Sequence, residues 1–86
     1  MQGSVSQNTP NPFTGLSTIR VSVPDDATDA YLDILTGNGQ GIKRIPVDNG
    51  RSEVSLSSYE LAPGTYLYTL VVNGKAVDTK RMIINR

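Results

Sequence analysis

The stretch Leu61-Ala62-Pro63-Gly64-Thr65-Tyr66-Leu67-Tyr68-Thr69-Leu70-Val71-Val72-Asn73-Gly74-Lys75-Ala76-Val77-Asp78-Thr79-Lys80-Arg81-Met82-Ile83-Ile84 decides the fold. Residues 65–72 are all apolar, aromatic or threonine, fenced by Pro63-Gly64 before and Asn73-Gly74 after. Asn-Gly between two such runs signals a type I′ turn, because both central residues of that turn need positive φ. The segment is therefore predicted to be a β-hairpin with strands over 65–72 and 76–84. Its parity is in conflict. A two-residue turn pairs Leu70 with Val77 and Tyr66 with Arg81, yet Met82 and Ile84 belong in the core beside Tyr66 and Tyr68. One extra residue near Asp78-Thr79 shifts the alternation and reconciles the faces; covering both faces is the other solution.

Gly64 after Pro63 is expected to take a positive φ or to sit in a tight turn. Tyr66 then has the place of a tyrosine corner, its hydroxyl sent back to nearby backbone. Leu67 and Val71 point outward. They need either packed neighbours, as on a central strand, or a partner for an apolar patch.

Working back from the hairpin, every signal is again a strand or a turn. Residues 16–23 alternate, with Ile19, Val21 and Val23 inward, and Pro24-Asp25-Asp26 ends the run. Residues 31–35 put Leu32 and Ile34 inward. Gly37-Asn38-Gly39-Gln40-Gly41 is a turn, since three glycines in five residues do not hold a strand. Residues 42–47 follow, with Pro46 marking an edge strand or a strand end. Asp48-Asn49-Gly50 turns into residues 51–56, with Val54 and Leu56 inward. The 57–63 connection has room for one helical turn capped by Ser57 or Ser58. Six or seven short strands with frequent turns give an all-β class, an immunoglobulin-like antiparallel sandwich. Its expected core is Ile19, Val21, Leu32, Ile34, Val54, Leu56, Tyr66 and Leu70. Ahead of it, Pro10 and Pro12 flank Asn11 and favour an extended, polyproline-like arm. Phe13, the sole Phe, is the residue expected to pin that arm to the sandwich.

Composition narrows function. Eighty-six residues make one domain with a modest core. Eight basic and eight acidic residues cancel, which speaks against a nucleic-acid reader. No apolar run approaches the ~20 residues of a membrane-spanning helix, and residues 1–4 lack the apolar stretch of a signal peptide. Met1 to Ser4 read as a cloning remnant or linker. There is no His and no Cys, so the commonest metal ligands, general bases and activated nucleophiles are missing. No enzyme activity, metal or cofactor is expected. Tyr31 and Tyr59 could face solvent and stack on sugars, which leaves an accessory adhesin or carbohydrate-binding module as the rival class.

The two ends of the chain carry a resemblance. Val5-Ser6-Gln7-Asn8-Thr9-Pro10-Asn11-Pro12-Phe13 opens as does the type A C-terminal sorting domain of the Bacteroidetes type IX (Por) secretion system. In that family a hydrophobic residue precedes Gln-Asn, and Pro-Asn-Pro-Phe follows. Thr18, Ile19 and Pro24 match its next strand. Thr36 stands where Asp is usual, and Gly39 fits the turn glycine. Leu61, Gly64 and Tyr66 match its late Leu-x-x-Gly-x-Tyr, and Lys80, Met82 and Ile84 its closing Lys-x-Met-x-Ile. The resemblance covers residues 5–86.

It implies a secretion signal at the end of a longer precursor. The partners it implies are an upstream passenger, the type IX outer-membrane translocon that reads the domain, and a sortase-like protease that cuts before it; a weak homodimer is the remaining expectation. The location would be the periplasm in transit, then the cell surface or the medium. The residues implied for recognition are Gly64, Tyr66, Lys80, Arg81, Met82 and Ile84, with Asn8, Pro10, Asn11, Pro12 and Phe13 as the opening motif. Arg86 adds charge to the terminal strand, whose edge is expected to be unmatched and open to strand addition.

Overall fold

Alternation and turn chemistry produce seven strands. The computed structural model describes residues 3–85; Met1, Gln2 and Arg86, including the expectations placed on them, lie outside the described residues. The strands are β1 Ser4–Val5, β2 Leu16–Val23, β3 Ala30–Thr36, β4 Gly41–Pro46, β5 Gly50–Ser57, β6 Gly64–Val72 and β7 Lys75–Ile84. They form two antiparallel sheets, ordered β1-β2-β5 and β4-β3-β6-β7. This is the expected all-β sandwich, with an immunoglobulin-like strand order. Ser4, read as part of a linker, already pairs with Ser22.

The inner faces meet as the alternation requires. Ile19, Val21 and Val23 of β2 oppose a layer built from Leu32, Ile34, Tyr66, Tyr68, Leu70, Met82 and Ile84. Val54 departs from expectation: it is only partly buried against this core, because β5 is the last strand of its sheet. Pro46 ends β4, which is an edge strand. The 57–63 connection holds no helical turn. Ser57 Oγ accepts from Tyr59 N at 3.2 Å and Ser57 O from Glu60 N at 3.1 Å, a hydroxyl-stabilised turn. Ser58 does not cap a helix either; its Oγ accepts from Gly15 N at 2.9 Å.

The hairpin settles its own parity. Asn73 and Gly74 have φ of 51° and 80°, the two positive values a type I′ turn needs. The register then slips: Leu70 pairs with Asp78 but Val71 with Ala76, so Val77 is the extra residue. The bulge lies one position before the expected Asp78-Thr79. Beyond it Tyr66 faces Met82, and both are buried. Val71 is 8% exposed and Leu67 half-buried, as suits a strand flanked on both sides by β3 and β7.

Candidate functional site

The opening motif and the terminal strand, far apart in sequence, form one structure. The arm before β2 starts in the three-stranded sheet. Ser6 N donates to Arg20 O at 2.9 Å, and Thr9 and Thr18 exchange backbone bonds of 2.9 and 3.0 Å. The chain then bends through 10–12 instead of running on as an extended polyproline-like path; Thr9-Pro10 and Asn11-Pro12 are both cis. The bend carries the arm across to the other sheet. There Phe13 forms a parallel bridge with Ile84, donating its N–H to Ile83 O at 3.0 Å and accepting from Asn85 N at 2.8 Å.

The edge of β7 is therefore not unmatched over this stretch. Asn11 Oδ1 accepts from Ile83 N at 2.8 Å. Gln7 Nε2 donates to Arg81 O, and Asp78 Oδ2 accepts from Val5 N at 2.9 Å. Gln7 and Asn11 lend side-chain groups where an eighth strand would offer backbone, while Val5 and Phe13 use their own backbone groups. Phe13, 2% exposed, plugs the end of the core and is the anchor the sequence suggested.

Beneath the arm lies a buried polar lattice. Asn8 is 1% exposed. Its N–H donates to Tyr68 Oη at 2.8 Å, and its Nδ2 donates to Ser17 Oγ at 2.8 Å and Pro10 O at 3.0 Å. Ser17 Oγ also donates to Pro10 O at 2.8 Å, and Gln7 Nε2 donates to Asn8 Oδ1 at 2.8 Å. Tyr68 Oη donates to Ser6 O at 2.6 Å. Buried polar groups without partners cost about 1–3 kcal/mol each, so this lattice also fixes where the arm sits. Burial pushes the Tyr68 hydroxyl up to about 12, against the stabilising bond from Asn8 N–H to its anion. Sequence reading missed Asn8, Ser17 and Tyr68 as a unit. The available signal was Tyr68 on a core face, since a buried tyrosine hydroxyl needs a partner.

The remaining residues singled out in the sequence divide by face. Tyr66 makes the expected corner: its hydroxyl donates to Ala62 O at 2.5 Å. Gly64 has a φ of 151° at the start of β6, opposite Ile84, with open space where a Cβ would stand. Met82 and Ile84 are core residues, 0% and 2% exposed. Lys80 is half-buried and lies 3.6 Å from Asp78. Arg81 is exposed. Tyr31 and Tyr59 do not share a platform. The Arg44 guanidinium lies 3.9 Å over the Tyr31 ring, while Tyr59 is exposed on the connection before β6.

A family model described as secretion system C-terminal sorting domain matches residues 9–85. No curated protein matches the chain.

Proposed function

The chain belongs to the secretion system C-terminal sorting domain family, and from that premise we infer that it is the export address of a passenger fused ahead of its arm. It is a C-terminal secretion sorting signal, as its resemblance to type IX tails implied. The finer reading is that the type IX translocon takes the folded domain and carries the passenger across the outer membrane to the surface. A sortase-like protease then cuts ahead of β1. The domain is substrate throughout and catalyses none of these steps.

The observation that supports this most is the joining of the two family motifs. Asn11 and Phe13 of the opening motif bond Ile83 and Asn85 of the terminal strand. A receptor meets the two as one composite surface that forms only when the domain is folded. Arg81 presents the charge on that surface, and Met82 and Ile84 hold its shape from inside. Strand addition between Arg81 and Asn85 is not the recognition mode here, because the arm already occupies that edge.

The test is a fluorescent passenger fused ahead of residues 1–86 in a type IX-competent cell. The intact domain should bring fluorescence to the cell surface. An Arg81→Glu variant that melts like wild type should leave the passenger folded in the periplasm. Failure of the intact domain to export any passenger refutes the sorting reading. Normal export of the Arg81→Glu variant refutes the role given to that charge.

A further inference from the structure

The sandwich has another sheet edge, and none of the described residues covers it. Sheet β1-β2-β5 ends at β5. Thr9 and Thr18 exchange bonds, and Ser6 N bonds Arg20 O, so even-numbered residues of β2 turn their backbone groups toward the arm. Odd-numbered ones must turn toward β5. Register then fixes β5: Gly50, Ser52, Val54 and Leu56 bond back to β2. Arg51, Glu53 and Ser55 turn their N–H and C=O groups to the outside. No backbone or side-chain partner occurs for these groups among the described residues.

The neighbouring edge, β4, is guarded. Its register slips between Ile34 and Leu35, and it ends at Pro46. Bulges and prolines blunt an edge. β5 has neither device, and it runs for eight residues.

We propose that the β5 edge is a self-association surface, on which a second copy of this chain adds its own β5 antiparallel about a twofold axis at Ser52. Only some registers are open to it. The outward-bonding residues are odd, so odd must pair with odd. Centring on Glu53 sets two like charges opposite each other, which is destabilising. Centring on Ser52 sets Arg51 opposite the second copy's Glu53, and Glu53 opposite its Arg51. Each such pair exchanges both backbone N–H···O bonds and places opposite charges side by side. Both side chains are exposed and available, Glu53 holding only a 3.7 Å contact with Arg20.

A second observation falls on the same axis. Ser52 Oγ is buried with no hydrogen-bond partner among the described residues. In this register the two Ser52 residues oppose each other as a non-hydrogen-bonded pair, with Cα atoms about 4.5 Å apart, within reach of a hydroxyl–hydroxyl bond. The joined sheet runs β1-β2-β5-β5-β2-β1 across the twofold axis. A contact of one short edge is below the roughly 1,200 Å² of stable interfaces, so the dimer is weak and concentration-dependent.

Sedimentation of the 86-residue chain between about 10 µM and about 1 mM tests it. Wild type should show a reversible monomer–dimer equilibrium. Arg51→Glu or Glu53→Arg alone should weaken it by roughly tenfold or more, each reversal facing like charges twice. An equimolar mixture of the two single variants should form a heterodimer, and the double reversal should recover wild-type association to within about threefold. Glu53→Pro removes an outward N–H, so it should abolish association while the monomer still melts near the wild-type temperature. A chain that stays monomeric throughout overturns the proposal. So does a dimer indifferent to the single reversals, which would lie on another face. Monomers that instead take up a strand of a different protein on β5 overturn the second copy as occupant.

Discussion

The two long sides of this sandwich are finished in opposite ways. On one, the arm bridges both sheets from Val5 to Phe13, supplies partners to the β7 edge and seals the core with an aromatic side chain. On the other, β4 and β5 end their sheets and are joined by the short 47–49 connection, with an exposed Lys43–Glu60 ion pair of 3.4 Å nearby and no buried plug or polar lattice among the described residues. The difference shows where order is concentrated. The side carrying the family's opening and closing motifs is held by a buried polar lattice and a buried plug. The far side is held by strand pairing, by partly buried Ile45, Val47 and Val54 packed on the core, and by exposed contacts such as the Lys43–Glu60 ion pair, and it leaves Ile42 42% exposed.

The largest test of that contrast removes the plug. Phe13→Ala should cost about 3–5 kcal/mol, the range for a large core truncation. The arm should lose its hold on Ile83 and Asn85, seen as fast amide exchange across β7 while β3 stays protected. An unfolding midpoint within error of wild type would mean the arm is ornamental.

Gly64→Val acts at the same end, since Gly64 pairs with Ile84, itself bridged to Phe13. A φ of 151° is unfavourable for a β-branched residue, by about 1–3 kcal/mol, though no atom crowds the site. Calorimetry gives the cost, and surface fluorescence of a fused passenger should fall with it.

Tyr68→Phe is expected to cost about 1–2 kcal/mol at neutral pH, leaving Asn8 N–H and Ser6 C=O unpartnered. Its pH dependence sharpens the point. Unfolded tyrosine loses its proton near 10, whereas the folded hydroxyl holds it to about 12. Over that window the unfolded state binds fewer protons, so wild-type stability falls as pH rises. The gap between wild type and Tyr68→Phe should be full below pH 10 and should narrow from about 10 to 12. A gap constant across alkaline melts would show that the hydroxyl is not sequestered.

The smallest effect belongs to the open side. Ile42→Ser should change stability by no more than about 0.5 kcal/mol, because Ile42 is the unpaired residue of the β4 register slip and, at 42% exposed, has little packing to lose. A loss like that of Phe13→Ala would erase the contrast.

Much of the architecture was legible because it is local. Period-two alternation placed Ile19, Val21, Leu32 and Ile34, and Asn73-Gly74 named the turn. The clash between turn length and the positions of Met82 and Ile84 exposed the bulge within a residue of Val77. Phe13 was legible because an isolated aromatic in a polar arm has few other uses. What stayed hidden depends on contacts across the whole chain. Asn8 meets Tyr68 sixty positions away, and Asn11 meets Ile83 seventy-two away. No periodicity encodes such meetings. Polar letters in a motif do not say whether they face water or a buried hydroxyl. The edge of β7 looked open for the same reason: its cover is a segment with no strand signature of its own.

The arm also runs parallel to β7, with Val5, Gln7, Asn11 and Phe13 meeting Asp78, Arg81, Ile83 and Asn85 in the same order. Tension between the chain ahead of the arm and the chain beyond β7 would drag these two segments past each other along their length. The bonds between them would bear that load together, as a lap joint does, instead of opening one after another like a zipper. A tether fastened at these two points strains the seam and leaves the distant β4 and β5 slack.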